Sequence, residues 1–182
     1  MKTLTDQLAQ YATYHRDRRN IATHLVGIPM ILLALQVLLS RPVLADAGVP
    51  VTPALILTAI TALYYLRLDR PLGALMALLM AAGLALAWPL ASQSTPLWLW
   101  SGLGLFVLGW VIQFVGHFWE GRKPAFADDL MGLVIGPLFV VAEVVFALGG
   151  RRALHDAITA RAGPLRSGST VAAQPSADTK TL

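Results

Sequence analysis

A chain of 182 residues that is 56% hydrophobic and only 13% charged, with a mean hydropathy of +0.63, is not an ordinary water-soluble globule, in which about a quarter of the residues carry charge. Fourteen basic against ten acidic residues give net +4, which in so apolar a chain reads as cytoplasmic loops and lipid headgroups rather than nucleic acid, since no basic patch is interleaved with aromatics. The absence of cysteine excludes disulfides, thiolate metal sites and thiol catalysis, and leaves His and carboxylate as the metal ligands.

In chain order, Leu4, Leu8, Tyr11, Ala12 and His15 recur at helical spacing, with Asp6, Gln7, Gln10 and Arg18 elsewhere on the wheel. This predicts a short amphipathic helix at the membrane interface. The polar stretch Met1 to Gln10 does not read as a cleavable signal peptide. Asn20, a short polar acceptor before an apolar run, reads as the N-cap of a first span.

A span needs about 20 apolar residues to cross a hydrocarbon core of roughly 30 Å. The runs that approach this are about Ile21–Leu39, Val51–Leu66, Leu72–Leu90, Leu97–Phe118 and Leu130–Leu148. The second is short, and the fifth contains Gly136-Pro137, where a backbone hydrogen bond is lost and a kink or break is expected. From Pro71 to Trp119 there is no Asp, Glu, Lys or Arg at all. The expected fold is an all-α integral membrane bundle of four to five transmembrane segments, the last broken at Gly136-Pro137, preceded by the amphipathic helix. Residues 1–160 form one domain in this reading, and the Gly-, Pro-, Ser- and Ala-rich residues 161–182 a disordered tail.

The positive charges refine the topology. Lys2, Arg16, Arg18 and Arg19, then Arg67 and Arg70, then Arg122 and Lys123 share one side of the membrane in any sequential threading, whereas five full crossings put Arg151, Arg152, Arg161 and Arg166 on the other. An even number of crossings, with the Gly136-Pro137 segment folded back, keeps every basic cluster on the cytoplasmic face. The short loops suit a bacterial inner membrane, or the endoplasmic reticulum in a eukaryote.

Four histidines and two glutamates are few enough for their positions to matter, because an ionisable group in or beside a span is costly and marks a site. On one continuous helix His15 and His24 would stand about 180° apart; a break between Asp17 and Asn20 lets the first helix fold back so that the two rings converge. Gln113, His117 and Glu120 form one polar stripe, and His117 and Glu120 can share a metal or stand as ligand and supporting carboxylate. Glu143 lies alone in the fifth apolar run, and His155, in RRALHDA, reads as solvated surface. Three imidazoles with carboxylates suit iron(II), zinc or manganese. Arg16, Arg18, Arg19, Arg122 and Lys123 are placed to meet an anionic headgroup or carboxylate.

The blocks YHRDRRNIATHLVGIP, Tyr14 to Pro29, and QFVGHFWEGRKPAFADDLMGLVIGPLFVVAEVV, Gln113 to Val145, resemble the membrane-bound 2-hydroxy fatty acid dioxygenases, the family of a yeast endoplasmic-reticulum enzyme that metabolises phytosphingosine to odd-numbered fatty acids. The resemblance implies an Fe(2+)-dependent, non-haem dioxygenase that consumes O2, oxidatively decarboxylates a 2-hydroxy fatty acid and leaves an acid one carbon shorter, as in fatty acid α-oxidation. It implies His15, His24 and His117 as metal ligands. Asn20, Glu120 and Glu143 follow as a fourth ligand or supporting groups. Beside the resemblance, the charge and position of Arg16, Arg19 and Lys123 make them the groups expected to hold or orient the substrate carboxylate. The other class compatible with these residues is a small proton- or metal-conducting transporter using His24, His117 and Glu143. A di-iron desaturase is excluded, because its clustered histidine boxes need about twice the histidines present.

Overall fold

A computed structural model describes residues 2–46 and 48–167. Seven α-helices account for most of these residues: α1 Leu4–Ala12, α2 Arg18–Ser40, α3 Pro53–Leu68, α4 Arg70–Ala91, α5 Thr95–Glu120, α6 Met131–Ala147 and α7 Arg152–Ala162. A two-stranded antiparallel hairpin, β1 Ala45–Asp46 with β2 Pro50–Val51, closes the α2–α3 connection. Of the helices, α2, α4 and α5 are each long and apolar enough to cross a membrane; α3 is shorter but equally apolar. Large side chains such as Leu57, Ile60, Leu63, Leu78, Leu86, Val107 and Phe118 lie exposed around this girdle, a surface that only lipid can solvate. The molecule is an all-α membrane bundle.

Helices α2 to α5 run antiparallel in sequence, and α2 with α5 is the most extensive pair. That closeness comes from small residues. A Cβ on Gly27 would stand 2.8 Å from the Gly109 carbonyl oxygen, and one on Gly109 would stand 2.9 Å from that of Gly27. The two backbones touch where any side chain would hold them apart. Deeper along the same seam, a Cβ on Gly116 would overlap the side chains of Thr23 and Asn20.

Helix α1 is opened by a capping box between Thr3 and Asp6. Its apolar stripe of Leu4, Leu8, Tyr11 and Ala12 is buried against α6 and α7 rather than in lipid. The N-cap of α2 is Asp17, whose carboxylate accepts from the Arg19 amide at 2.8 Å. Asn20 therefore sits one turn inside the helix, and its amide is turned sideways, away from the helix end it was expected to cap.

Helix α6 continues unbroken through Gly136-Pro137, and the sharp bend, 118°, falls instead between α6 and α7. Pro137 leaves the Leu133 carbonyl without its helical donor, and one residue on the Tyr65 hydroxyl donates to the Val134 carbonyl at 2.5 Å, tying this stretch of α6 to α3. Gly136 meanwhile lets α6 press against the Tyr11 hydroxyl and Ile28.

Both ends of α6 return to one end of the bundle. Asp128 and Asp129, before it, meet Tyr14 and Lys2; Arg151, after it, pairs with Asp69 of the α3–α4 turn at 2.7 Å. Arg161 pairs with Asp6, and Arg122 donates to the Thr13 carbonyl. Every basic cluster of the described residues except Arg41 thus shares one end, the arrangement expected of an even number of crossings. Residues 161–167 are held against the bundle, with α7 running to Ala162; the rest of the expected tail, 168–182, lies outside the described residues.

The glycine seam yields a paired test. Gly109→Ala should destabilise the protein by about 1–3 kcal/mol, as overpacking does, whereas Gly104→Ala, with open space around its Cβ, should be neutral or slightly stabilising because Ala is the better helix former. Thermal unfolding of the two variants in the same detergent checks both.

Candidate metal centre

The short link between α1 and α2 brings His15 to face α2. His15 and His24 are almost fully buried, and their Nε2 atoms lie 3.1 Å apart. In each ring Nδ1 faces a carbonyl oxygen at 2.9 Å, that of Tyr11 for His15 and that of Asn20 for His24. A carbonyl only accepts, so each Nδ1 carries the proton and each Nε2 is a bare lone pair. Two lone pairs aimed at each other at this distance repel unless a cation stands between them. Nitrogens bound to one metal at about 2.0–2.1 Å would be held at a comparable separation. His117 completes the group: its ring centroid is 5.0 Å from that of His15 and 4.9 Å from that of His24, and the three offer ligand atoms within 4.8 Å of one another. Its Nδ1 is buried without a hydrogen-bond partner. The donor set fits a divalent first-row metal.

Burial, and then the adjacent His24, push the His15 imidazole well below the ordinary histidine pKa, so it is neutral at pH 7 and able to ligate. Tyr11 stacks on it, 4.2 Å between centroids and 6° from parallel, and Phe139 of α6 packs against both rings, 5.6 Å from His15 and 5.0 Å from Tyr11.

Glu120 has a different task from the one its spacing suggests. Its Oε2 accepts from the backbone amides of Arg16 at 3.0 Å and Asp17 at 2.8 Å, and from the Asn20 amide group at 3.0 Å. Its Oε1 pairs with Arg166. The carboxylate is thereby fully engaged in holding the loop that carries His15, and it stands outside the ligand cluster. Gly121, in the left-handed conformation, ends α5 immediately after it and so leaves Glu120 at the helix terminus, where it can reach that loop. Asn20 links the two systems, offering its side chain to Glu120 and its carbonyl to His24.

The C-terminal segment wraps the same loop. The Arg166 amide donates to the Arg16 carbonyl at 2.7 Å, and the Arg18 amide donates to the Arg166 carbonyl at 3.0 Å. Buried Arg16 spends its guanidinium on the carbonyls of Ala12, His15 and Gly163, with Glu143 at 4.0 Å. Burial lowers its pKa, opposed by Glu143 and Glu120. Glu143 therefore faces Arg16 and stands outside the histidine cluster.

The remaining expected groups point elsewhere. Arg19 grips Asp17, holding that carboxyl below the usual carboxylate range, and lies over the Trp119 ring. Lys123 pairs with Asp128 at 2.5 Å. His155 is half-buried, with its ring 4.9 Å from that of Phe146, rather than free in solvent. A cavity of about 300 Å³ opens beside His24 and His117, and its walls include Tyr11, Trp110, Gln113 and Phe126 but no Arg or Lys. Two groups at the site were thus not singled out for it from the sequence. Gln113 stood on the polar stripe of His117, and Tyr11 stands one turn before His15, where its place on an apolar face disguised it.

The family described as 2-hydroxy-palmitic acid dioxygenase Mpo1-like matches residues 1–148, a span that holds all three histidines, Asn20, Glu120 and Glu143. The chain belongs to the Mpo1-like family. It is 33% identical over 148 residues to the protein of Saccharomyces cerevisiae named 2-hydroxy-palmitic acid dioxygenase MPO1, an overlap of 80% of this chain and 82% of that one. No solved structure matches it. The Mpo1-like match ends one residue past α6, so α7 and Arg166 lie beyond it.

Glu120→Ala would leave three buried donors facing an apolar void, at about 1–3 kcal/mol for each donor left unpaired. The expected outcome is faster hydrogen exchange at the Arg16 and Asp17 amides and a lower unfolding temperature, with Glu120→Gln intermediate. Amide exchange followed by mass spectrometry reads the first directly.

Proposed function

We propose that this protein is a membrane-embedded dioxygenase that oxidatively decarboxylates 2-hydroxy fatty acids, with iron(II) held by His15, His24 and His117. The observation that carries the proposal is the pair of imidazole lone pairs facing each other at 3.1 Å, with a third buried imidazole beside them, at the polar end of an apolar cavity. Membership of the Mpo1-like family and the name of the yeast relative support the substrate class. His15, His24 and His117 would hold the iron from one side and leave the side toward the cavity open to a 2-hydroxy carboxylate. The overall change balances without a further reductant: R-CH(OH)-COOH and O2 become R-COOH, CO2 and H2O.

When bound, iron supplies the electron-transfer chemistry with O2 that no side chain here possesses. The chain's own residues supply the rest. His15 and His24 are fixed in the ligating tautomer by the carbonyls of Tyr11 and Asn20. Gln113 is the uncharged polar group of the cavity wall, suited to hold a substrate oxygen by hydrogen bonding. The wall carries no cation, so the substrate carboxylate answers to the metal rather than to Arg16, Arg19 or Lys123. Leu32, Phe106 and Trp110 exclude water from the space around the reacting carbon. With the basic end cytoplasmic, the site opens at the cytoplasmic side of a bacterial inner membrane, or of the endoplasmic reticulum in a eukaryotic cell.

Detergent-purified protein loaded anaerobically with iron(II) should take up O2 on addition of 2-hydroxypalmitate and release the acid one carbon shorter, identified by mass spectrometry. His117→Ala should lose metal and activity while remaining folded, whereas His155→Ala should retain both. Equal iron content in His117→Ala and the parent would overturn the ligand set, and tight iron binding without O2 uptake at any chain length would overturn the reaction.

A further inference from the structure

A second cavity, about 530 Å³, lies between α2, α3, α4 and α6. It stands directly behind the first: Ile28, Leu32 and Leu35 of α2, with Leu133 and Pro137 of α6, line both. The two spaces differ in chemistry. The first has His24, His117 and Gln113 in its wall. The second has fewer free polar groups. Gln36 donates to the Met80 carbonyl at 2.9 Å and to Thr58 at 3.3 Å, and the Tyr65 hydroxyl donates to Val134. Apart from the Thr61 hydroxyl, what meets an occupant is almost all hydrocarbon.

We propose that the second cavity is the binding site for the distal part of the substrate's acyl chain, reached from the histidines through the constriction between Leu32, Leu35 and Leu133, and that its length sets the preferred chain length. This rests on the proposed function for the identity of the head end. Three observations carry it. The polarity gradient runs one way, from ligating nitrogens to satisfied hydrocarbon walls, and so orients an amphiphile with its carboxylate at His24 and His117. The shared walls make the spaces neighbours, parted only by side chains of α2 and α6 that can turn aside. The first cavity, at about 300 Å³, lies at the lower end of the range for ligand pockets, about 300–1,000 Å³, while the two together hold a long-chain acid within the protein.

Thr61 on α3 and Ala82 on α4 line the second cavity and not the first, so Thr61→Phe and Ala82→Phe fill it without touching the histidines. Binding of saturated 2-hydroxy acids from eight to eighteen carbons is measured by displacement of a fluorescent fatty acid from the purified protein, alongside kcat/KM for the same series. In the parent, affinity should rise about fourfold per methylene, the factor that corresponds to about 0.8 kcal/mol per buried CH2, until the second cavity is full. In both variants the rise should stop several carbons earlier, with 2-hydroxyoctanoate bound as in the parent.

An unchanged rise in either correctly folded variant would overturn the proposal and leave the cavity to a bilayer lipid tail. A uniform loss at every length would overturn it as well. A parent protein that binds the series with this length dependence but oxidises none of it would overturn the proposed reaction while upholding the acyl site.

Discussion

Two imidazole nitrogens with bare lone pairs, 3.1 Å apart on buried side chains, make an arrangement that the rest of the chain must enforce. Each ring faces the carbonyl four residues earlier in the chain, so the proton is committed to the far side and the lone pair to the centre. The electrostatic cost is local, and a cation shared by the three rings would offset it. Everything else at this end of the bundle keeps the rings from turning away.

That enforcement comes from two unlike sources. Between α2 and α5 it is steric: glycines at 27, 109 and 116 let the backbones meet, and the approach of the helices brings His24 opposite His117. Between α1 and α2 it is polar: a carboxylate with no exposed surface gathers two backbone amides, a side-chain amide and a guanidinium, and pins the turn that presents His15. An apolar contact alone would allow the turn to slide. A carboxylate surrounded by donors sits in one place, because each displacement breaks several charge-assisted bonds at once.

Much of this was legible in the residues. Four apolar runs and the interrupted fifth coincide with α2 to α6 to within a few positions, because lipid leaves the chain few alternatives to helix. The basic residues foretold that the C-terminal segment returns to the N-terminal end, and the need for His15 and His24 to converge foretold a break between them. The residues that eluded the sequence did so for definable reasons. Asn20 and Asp17 are both capping residues, and only the path of the turn decides which one caps. Pro137 marks a lost hydrogen bond, yet α6 runs on through it, tied to α3 by the Tyr65 hydroxyl at the Val134 carbonyl, a contact that the sequence does not show. Glu120 has the spacing of a ligand to His117, yet its partners lie about a hundred residues earlier. Arg16, Arg19 and Lys123 looked ready for an anion, and each already has a carboxylate close by.

The pairing of Arg166 with Glu120 ties together two parts of the chain that lie far apart in sequence. Through that one carboxylate, and through its backbone bonds to Arg16 and Arg18, the segment after α7 bears on the turn that presents His15. A disturbance at residues 163–167 is therefore transmitted to the imidazole cluster, although that segment contributes no atom to it.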